Sequence, residues 1–535
     1  MKIFNKYSIL LPSLALLLST GCSDLDLNPE GSVFTQDQKD ELKAADPTKL
    51  QSDVNGLYSG LIQYGSISSW FGATRHYDYG FASACMMYDA SGMDMPSENS
   101  GYNWYRSQLR FTDRTDIGDN TYFLWKMYYS HMKTANDLLR TIPSDIENQT
   151  LKYYRGQALA SRAFDYLNLV QTYQFTYKGH EEAPAVPLVT DETTPEMAAN
   201  NPRATVKQVY EQIIKDLNEA VVLLDGFDRQ GKKEVINQNV AYGLRARANL
   251  LMQNWKAAAD DADKALNGFT PYSISDVSKP TFNDIDASSW IWGNSISENN
   301  DIVKSGILNF PSMMCSFTGN GYAPGYAGRY INSELWKKIP TTDIRKGWWI
   351  DEEYNSPNVD YTWRITYNGK QYGPAAWFGW NAPYLNVKFG AYQDVYNNST
   401  NACDFPLMRA EEMYLIKAEG LAMSGDAQGK VVLENFVKTY RDPSYVCNAT
   451  TSTGIQDEVW FQRRIELWGE GFSFFDLLRL KKPLQRASTN FPAQAAYNLP
   501  AESQIFLWLI PEDEINNNAG IKKTDNNPVA TVPSV

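Results

Sequence analysis

A mainly α-helical scaffold of packed hairpins, followed by a loop-rich carboxy-terminal region with short strands, is the architecture this 535-residue sequence predicts. Three observations carry it. Residues 121–267 keep apolar side chains at helical spacing, residues 240–266 read as two short helices around a tight turn, and residues 268–405 give up that rhythm for Gly, Pro, Asn and aromatics.

The elements follow in chain order. Lys2 and Lys6 precede an apolar run from Ile9 to Leu18, then Ser19, Thr20, Gly21 and Cys22. This is a positive n-region, a short h-region and a small-residue cleavage zone, and the run falls short of the ~20 residues that span a bilayer. It predicts a lipoprotein signal over 1–21 with Cys22 as the lipidated mature terminus. Leu18 sits one position further from the cysteine than such signals usually place it. Asp24 and Asp26 form an acidic start that resembles the export tag of lipoproteins displayed on the outer face of the outer membrane.

Leu124, Met127, Tyr128, Met132, Ala135, Leu138, Leu139 and Ile142 form one helical stripe, closed by Pro143. A second stripe runs through Leu159, Ala163, Tyr166, Leu167, Val170 and Tyr173. Pro184 and Pro187 then exclude helix from Ala183 to Val189. Thr205 and Gln208 form a capping-box pattern ahead of Val209, Ile213, Leu217 and Leu224. Val240–Gln253 and Trp255–Leu266 resemble a tetratricopeptide hairpin, with Ala246, Ala248, Ala258, Ala262 and Ala265 at packing positions. Ala410–Tyr440 reads as a related unit, with Gly425 placed to end its first helix.

Composition narrows the function. A formal charge of −13 argues against nucleic acid, which demands a basic surface. Cys85, Cys315, Cys403 and Cys447 are widely spaced and lack metal-ligand spacing, so no zinc site is indicated and buried thiols are at least as good a reading as disulfides. His76, His131 and His180 are too scattered for a triad or metal cluster, and His131 among Met127, Tyr128 and Met132 reads as a packing residue. No phosphate loop, nucleophile elbow, HExxH or dinucleotide fingerprint occurs. No enzyme chemistry, cofactor or metal is expected.

Aromatics point to binding. Trp and Tyr number 15 and 33, and Trp290, Trp292, Trp336, Trp348, Trp349, Trp363, Trp377 and Trp380 crowd into residues 281–400. A sugar ring presents an apolar C–H face and a rim of hydroxyls, so its site needs flat aromatics beside amides or guanidinium groups. Tyr102, Asn103, Trp104 and Arg106 offer this in one turn-rich segment. Tyr322 and Tyr326, beside Asn320 and Arg329, offer it in a Gly-rich loop. Trp348, Trp377 and Trp380 are further candidates, while Trp336 in Glu334–Lys338 reads as structural.

Three segments carry a family resemblance. Arg463–Arg479 (RRIELWGEGFSFFDLLR) is similar to the carboxy-terminal signature of SusD/RagB nutrient-uptake lipoproteins, with Ser473 at a position usually polar or basic. Pro406–Glu419 resembles a helix of that family and Gly156–Val170 another; Phe506–Glu514 and Asp24–Pro29 also fit. The charges of the first segment, Arg463, Arg464, Glu466, Glu470, Asp476 and Arg479, suit salt bridges between neighbouring helical turns and a cap for the Gly471 turn. The resemblance implies an amino-terminal region over 22–280, a carboxy-terminal region over 281–535, and a lipid-anchored protein that binds a glycan and delivers it to a SusC-like TonB-dependent transporter. The competing expectations are the same fold binding peptides, a surface glycoside hydrolase, and a protein-interaction scaffold that uses the tetratricopeptide grooves.

Overall fold

Helices expected from apolar spacing form in order and stack side by side. The computed structural model describes residues 47–353, 355–359, 365–367, 370–372 and 383–532. The expected signal, Cys22, Asp24, Asp26, Trp363, Trp377 and Trp380 lie outside the described residues. Among the described residues no helix is long and apolar enough to cross a membrane.

After α1 (Gln51–Ser59) and the fully buried α2 (Phe81–Ser91) comes the scaffold: α3 (Asp119–Thr141), α4 (Gln149–Tyr173), α5 (Val206–Leu223), α6 (Gln238–Leu251) and α7 (Trp255–Ala265). Extended backbone at Ile142 ends α3 ahead of Pro143. α4 begins ten residues before its expected stripe, because the Asn148 side chain accepts from the Thr150 and Leu151 N–H groups and caps it. It is buried almost all round, which places it between α3 and α5. The capping box of α5 forms as expected: Thr205 Oγ accepts from Gln208 N–H, and the Gln208 side chain returns a bond to Thr205 N–H.

α6 and α7 close the expected hairpin, and the next helix in the stack is α8 (Ala410–Met423), more than 140 residues further along the chain. α9 (Gln428–Tyr440) and α10 (Ser452–Glu466) pack against α8 around a second core of Leu415, Leu433, Phe436 and Val459. Gly425, at φ +85°, makes the left-handed turn between α8 and α9, which a side chain would strain.

The strands are short. β1 (Pro184–Pro187) pairs antiparallel with β2 (Arg203–Thr205), where the prolines excluded helix. β3 (Trp290–Asn294) pairs antiparallel with β4 (Phe405–Arg409), which runs directly into α8. The segment Pro406–Glu419 is therefore strand for its first four residues and helix only from Ala410, a correction to the expected single helix.

Apart from half-buried Arg464, the family-signature charges are buried, but their partners lie mostly across the fold. Glu466 is surrounded by Arg345 (3.2 Å), Arg409 (3.3 Å) and Arg441 (2.7 Å). Glu470 bridges Lys388 and Arg409, and Arg479 joins Asp476 to Glu419. Arg463 pairs with Asp476 of α11 (Ser473–Arg479), and Arg464 with Asp94. The Gly471 turn is capped by Asp89 of α2, which accepts its N–H at 2.9 Å. Helical spacing alone could not supply these partners, since β4, α2, α8 and the loop at Arg345 bring them in.

Candidate functional site

Two loops meet because the extended segments feeding them pair. Tyr330 N–H donates to Pro96 carbonyl, Asn332 N–H to Asp94 carbonyl, and Ser97 bridges Arg329 in antiparallel fashion. Residues 329–331 also pair with 384–386, which in turn pair with 349–350, so the junction is anchored in the core. Ser100 Oγ donates to the Tyr326 carbonyl at 3.0 Å and pins one loop to the other. Gly321 permits the tight path of the second loop: a Cβ there would stand 2.6 Å from Ser312 Cα.

The result is an aromatic platform. Tyr102 and Tyr326 are 54% and 60% exposed, with ring centroids 5.0 Å apart. Tyr322 lies 6.2 Å from both Tyr102 and Trp104. Beneath it, half-buried Trp104 stacks on His76 at 4.0 Å, and the Tyr322 hydroxyl is hydrogen-bonded to His76 Nδ1 at 2.7 Å. Burial lowers the His76 pKa, which favours the neutral ring, and likewise raises that of the Tyr322 hydroxyl, which stays protonated. Exposed rings above a hydrogen-bonded lower tier suit a ligand with flat C–H faces and hydroxyl edges.

The other sequence candidates separate. Asn103 is buried and builds the loop: its Nδ2 donates to Ser97 Oγ and Glu98 carbonyl, and its Oδ1 accepts from Tyr105 N–H. It offers no side-chain surface to a ligand, which corrects that expectation. Arg106 is exposed at the end of the same segment. Asn320 ties its loop to Gly306. Arg329 is fully buried; its Nη1 donates to Ala327 carbonyl, and burial pulls its pKa down to about 10.

Trp348 is a second correction. It is 1% exposed, donates its indole N–H to Val277 carbonyl at 3.0 Å and packs on Phe282, so it is a core residue. Trp290, Trp292 and Trp349 are buried too, and half-buried Trp336 donates to Lys346 carbonyl, as a structural residue should. The Trp-rich stretch thus largely extends the main core where helices are sparse. Trp377 and Trp380 lie outside the described residues.

His76 is the platform residue that sequence reasoning missed. Its only local signal is its place in a Gly-, Tyr- and Asp-rich connector ahead of α2. His131 is structural, as its apolar neighbours implied: Nδ1 meets Asp165 at 2.8 Å and Nε2 the Leu57 carbonyl at 2.8 Å. All four described cysteines are buried free thiols.

Comparison with known proteins agrees in both halves of the chain. Residues 77–250 match a SusD-like family model described as starch-binding, associating with outer membrane, and residues 316–528 match the SusD family model. SusD-like protein P38 of Formosa agariphila is 23% identical over 424 residues, covering 72% of this chain and 78% of that protein. A SusD-like carbohydrate binding protein from Bacteroides vulgatus superposes with a TM-score of 0.70 at 23% identity, over 91% of this chain and 99% of its own. A laminarin binding SusD-like protein gives a TM-score of 0.62 at 18% identity, over 90% and 99%. The signature of α10 and α11, the stacked helical hairpins and the matches in both halves lead to one conclusion: the chain belongs to the SusD/RagB family.

Proposed function

We infer that this protein is a surface lipoprotein, tethered to the outer membrane through Cys22, that captures an oligosaccharide on the aromatic platform and passes it to a SusC-like TonB-dependent transporter. The signal over 1–21 supplies the tether, and residues 22–280 and 281–535 each contribute one platform loop. The observation that carries this reading is the meeting of Tyr102 and Tyr326, two exposed rings from distant loops held 5.0 Å apart. Side-by-side exposed aromatics cost solvation unless a ligand covers them, and a pyranose ring is the flat amphipathic partner they suit. The lipid leaves the body free to cover the mouth of a barrel.

Affinity electrophoresis against a glycan panel tests capture; laminarin belongs in that panel because a fold relative binds it. Retardation by one glycan, lost in Tyr102→Ala/Tyr326→Ala, is the expected result. Binding of peptide digests with no glycan retarded would replace the ligand class, and release of reducing ends from a bound glycan would make the protein a hydrolase. Recovery of an outer-membrane barrel in a mild-detergent pulldown tests delivery.

A further inference from the structure

Away from the platform, α1 and the amino-terminal end of α4 face the 227–235 connector across an open cleft of about 770 Å³. That volume lies within the ~300–1,000 Å³ typical of small-molecule sites. None of its lining residues belongs to the platform or its loops.

The walls combine flat rings with placed amides. Tyr153 and Phe227, both partly exposed, pair at 4.8 Å. Tyr154 donates its hydroxyl to Gln51 Oε1 at 2.8 Å, and Tyr58 donates to Gln157 Oε1. Asn294, at the end of β3, also lines the cleft; it is 4% exposed and its Nδ2 has no hydrogen-bond partner. The charged lining balances: Asp228 and Glu234 stand against Arg229 and Lys232. Arg229 is already engaged, its Nη1 donating to the Ile291 and Val235 carbonyls.

We propose that this cleft is a second carbohydrate site, taking a neutral oligosaccharide independently of the platform. Rings serve sugar C–H faces, amides serve hydroxyls, and the balanced charge leaves no surplus of cations to favour uronates or sulfated sugars. The choice of ligand class rests on the platform reading; the site itself does not. Its consequence is avidity: a polysaccharide long enough to reach both sites is held at high effective concentration, while short fragments are released.

Isothermal titration of the purified protein with laminarihexaose, cellohexaose, maltohexaose and mannohexaose tests it. The expected result is two sites for at least one hexasaccharide, one surviving in Tyr102→Ala/Tyr326→Ala and lost, by tenfold or more, when Tyr153→Ala/Phe227→Ala is added. Asn55→Trp, at an exposed lining position, fills the cleft without emptying a packed one, so it gives the same answer should the other pair unfold. A single site abolished by the platform pair and unmoved by both cleft changes overturns the cleft and leaves the platform standing. A single site unmoved by the platform pair and abolished by the cleft changes overturns the platform reading instead. Binding of no hexasaccharide, or residual binding indifferent to the cleft changes, also overturns the proposal.

Discussion

The imidazole of His76 lies flat on the indole of Trp104, 4.0 Å between centroids and 18° between planes, and its Nδ1 is hydrogen-bonded to the Tyr322 hydroxyl. One neutral histidine thus couples the lower tier of the platform to the loop that carries Tyr326. Because burial lowers its pKa below the ordinary 6.5, the folded state favours the neutral ring. That contribution is complete above pH 6.5 and is lost as pH falls through the depressed value. Glycan affinity is therefore expected to be level above about pH 7 and to weaken as pH falls below 6.5 through the depressed value. His76→Phe keeps a stacked ring and should flatten the profile; an unchanged profile in titrations of that variant would discard the role.

Tyr102 and Tyr326 are more than half exposed, so their replacement by Ala removes ligand contact and little packing. Each is expected to weaken glycan binding roughly tenfold, ~1.4 kcal/mol, with a thermal midpoint close to wild type. A midpoint falling in parallel with affinity would mean that the rings hold the loops together instead.

Much of this architecture was legible from local signals. The capping box at Thr205, the stop at Pro143 and the Gly425 turn are chemical choices made within a few residues, and all three formed. Both platform loops were legible as well, because Gly, Asn and Tyr in a polar connector mark a turn with a flat ring. Their meeting was not, since it depends on pairing between 94–97 and 329–332, a contact that no spacing rule reaches. Asn103 and Trp348 misled for one shared reason: composition reports residue type, whereas burial is decided by distant partners. His76 was invisible for the same reason, its role being created by Trp104 and Tyr322.

Trp348 makes the contrast with the platform measurable. Its ring is packed by Phe282 and Trp349, and its N–H is satisfied by Val277. Trp348→Ala is expected to cost ~3–5 kcal/mol in urea unfolding, while the folded fraction keeps wild-type glycan affinity. Lost affinity in a fully folded sample would return Trp348 to the ligand site.

Glu466 is the hub of the buried charges, with Arg345, Arg409 and Arg441 all within 3.3 Å. Burial disfavours its charge, yet the Arg441, Arg409 and Arg345 guanidinium groups hold its carboxyl well below the usual range. Glu466→Gln keeps the shape and strands three cations, so a loss of ~3–5 kcal/mol is expected in urea denaturation. A loss below ~1 kcal/mol would show that Asp343, Glu411 and Glu470 suffice to balance the cluster.

Asp89 should behave in the opposite sense to Glu466. It is buried in α2 with Oδ2 accepting the Gly471 N–H and Oδ1 without a partner. Burial pushes its pKa up to about 8, with the Asp94 and Glu470 carboxylates adding to the rise against the Gly471 N–H and Lys388. A carboxyl whose folded pKa is raised stabilises the fold fully below its unfolded value near 3.8, and the contribution is lost as pH climbs to about 8. Asp89→Asn keeps an oxygen for Gly471 and cannot ionise. Its stability relative to wild type is therefore expected to improve between about pH 5 and pH 8, by up to ~1.4 kcal/mol per unit, then level off. Parallel urea titrations of the two proteins across that range measure the difference, and a constant offset would mean that Asp89 is ionised throughout and held by Lys388.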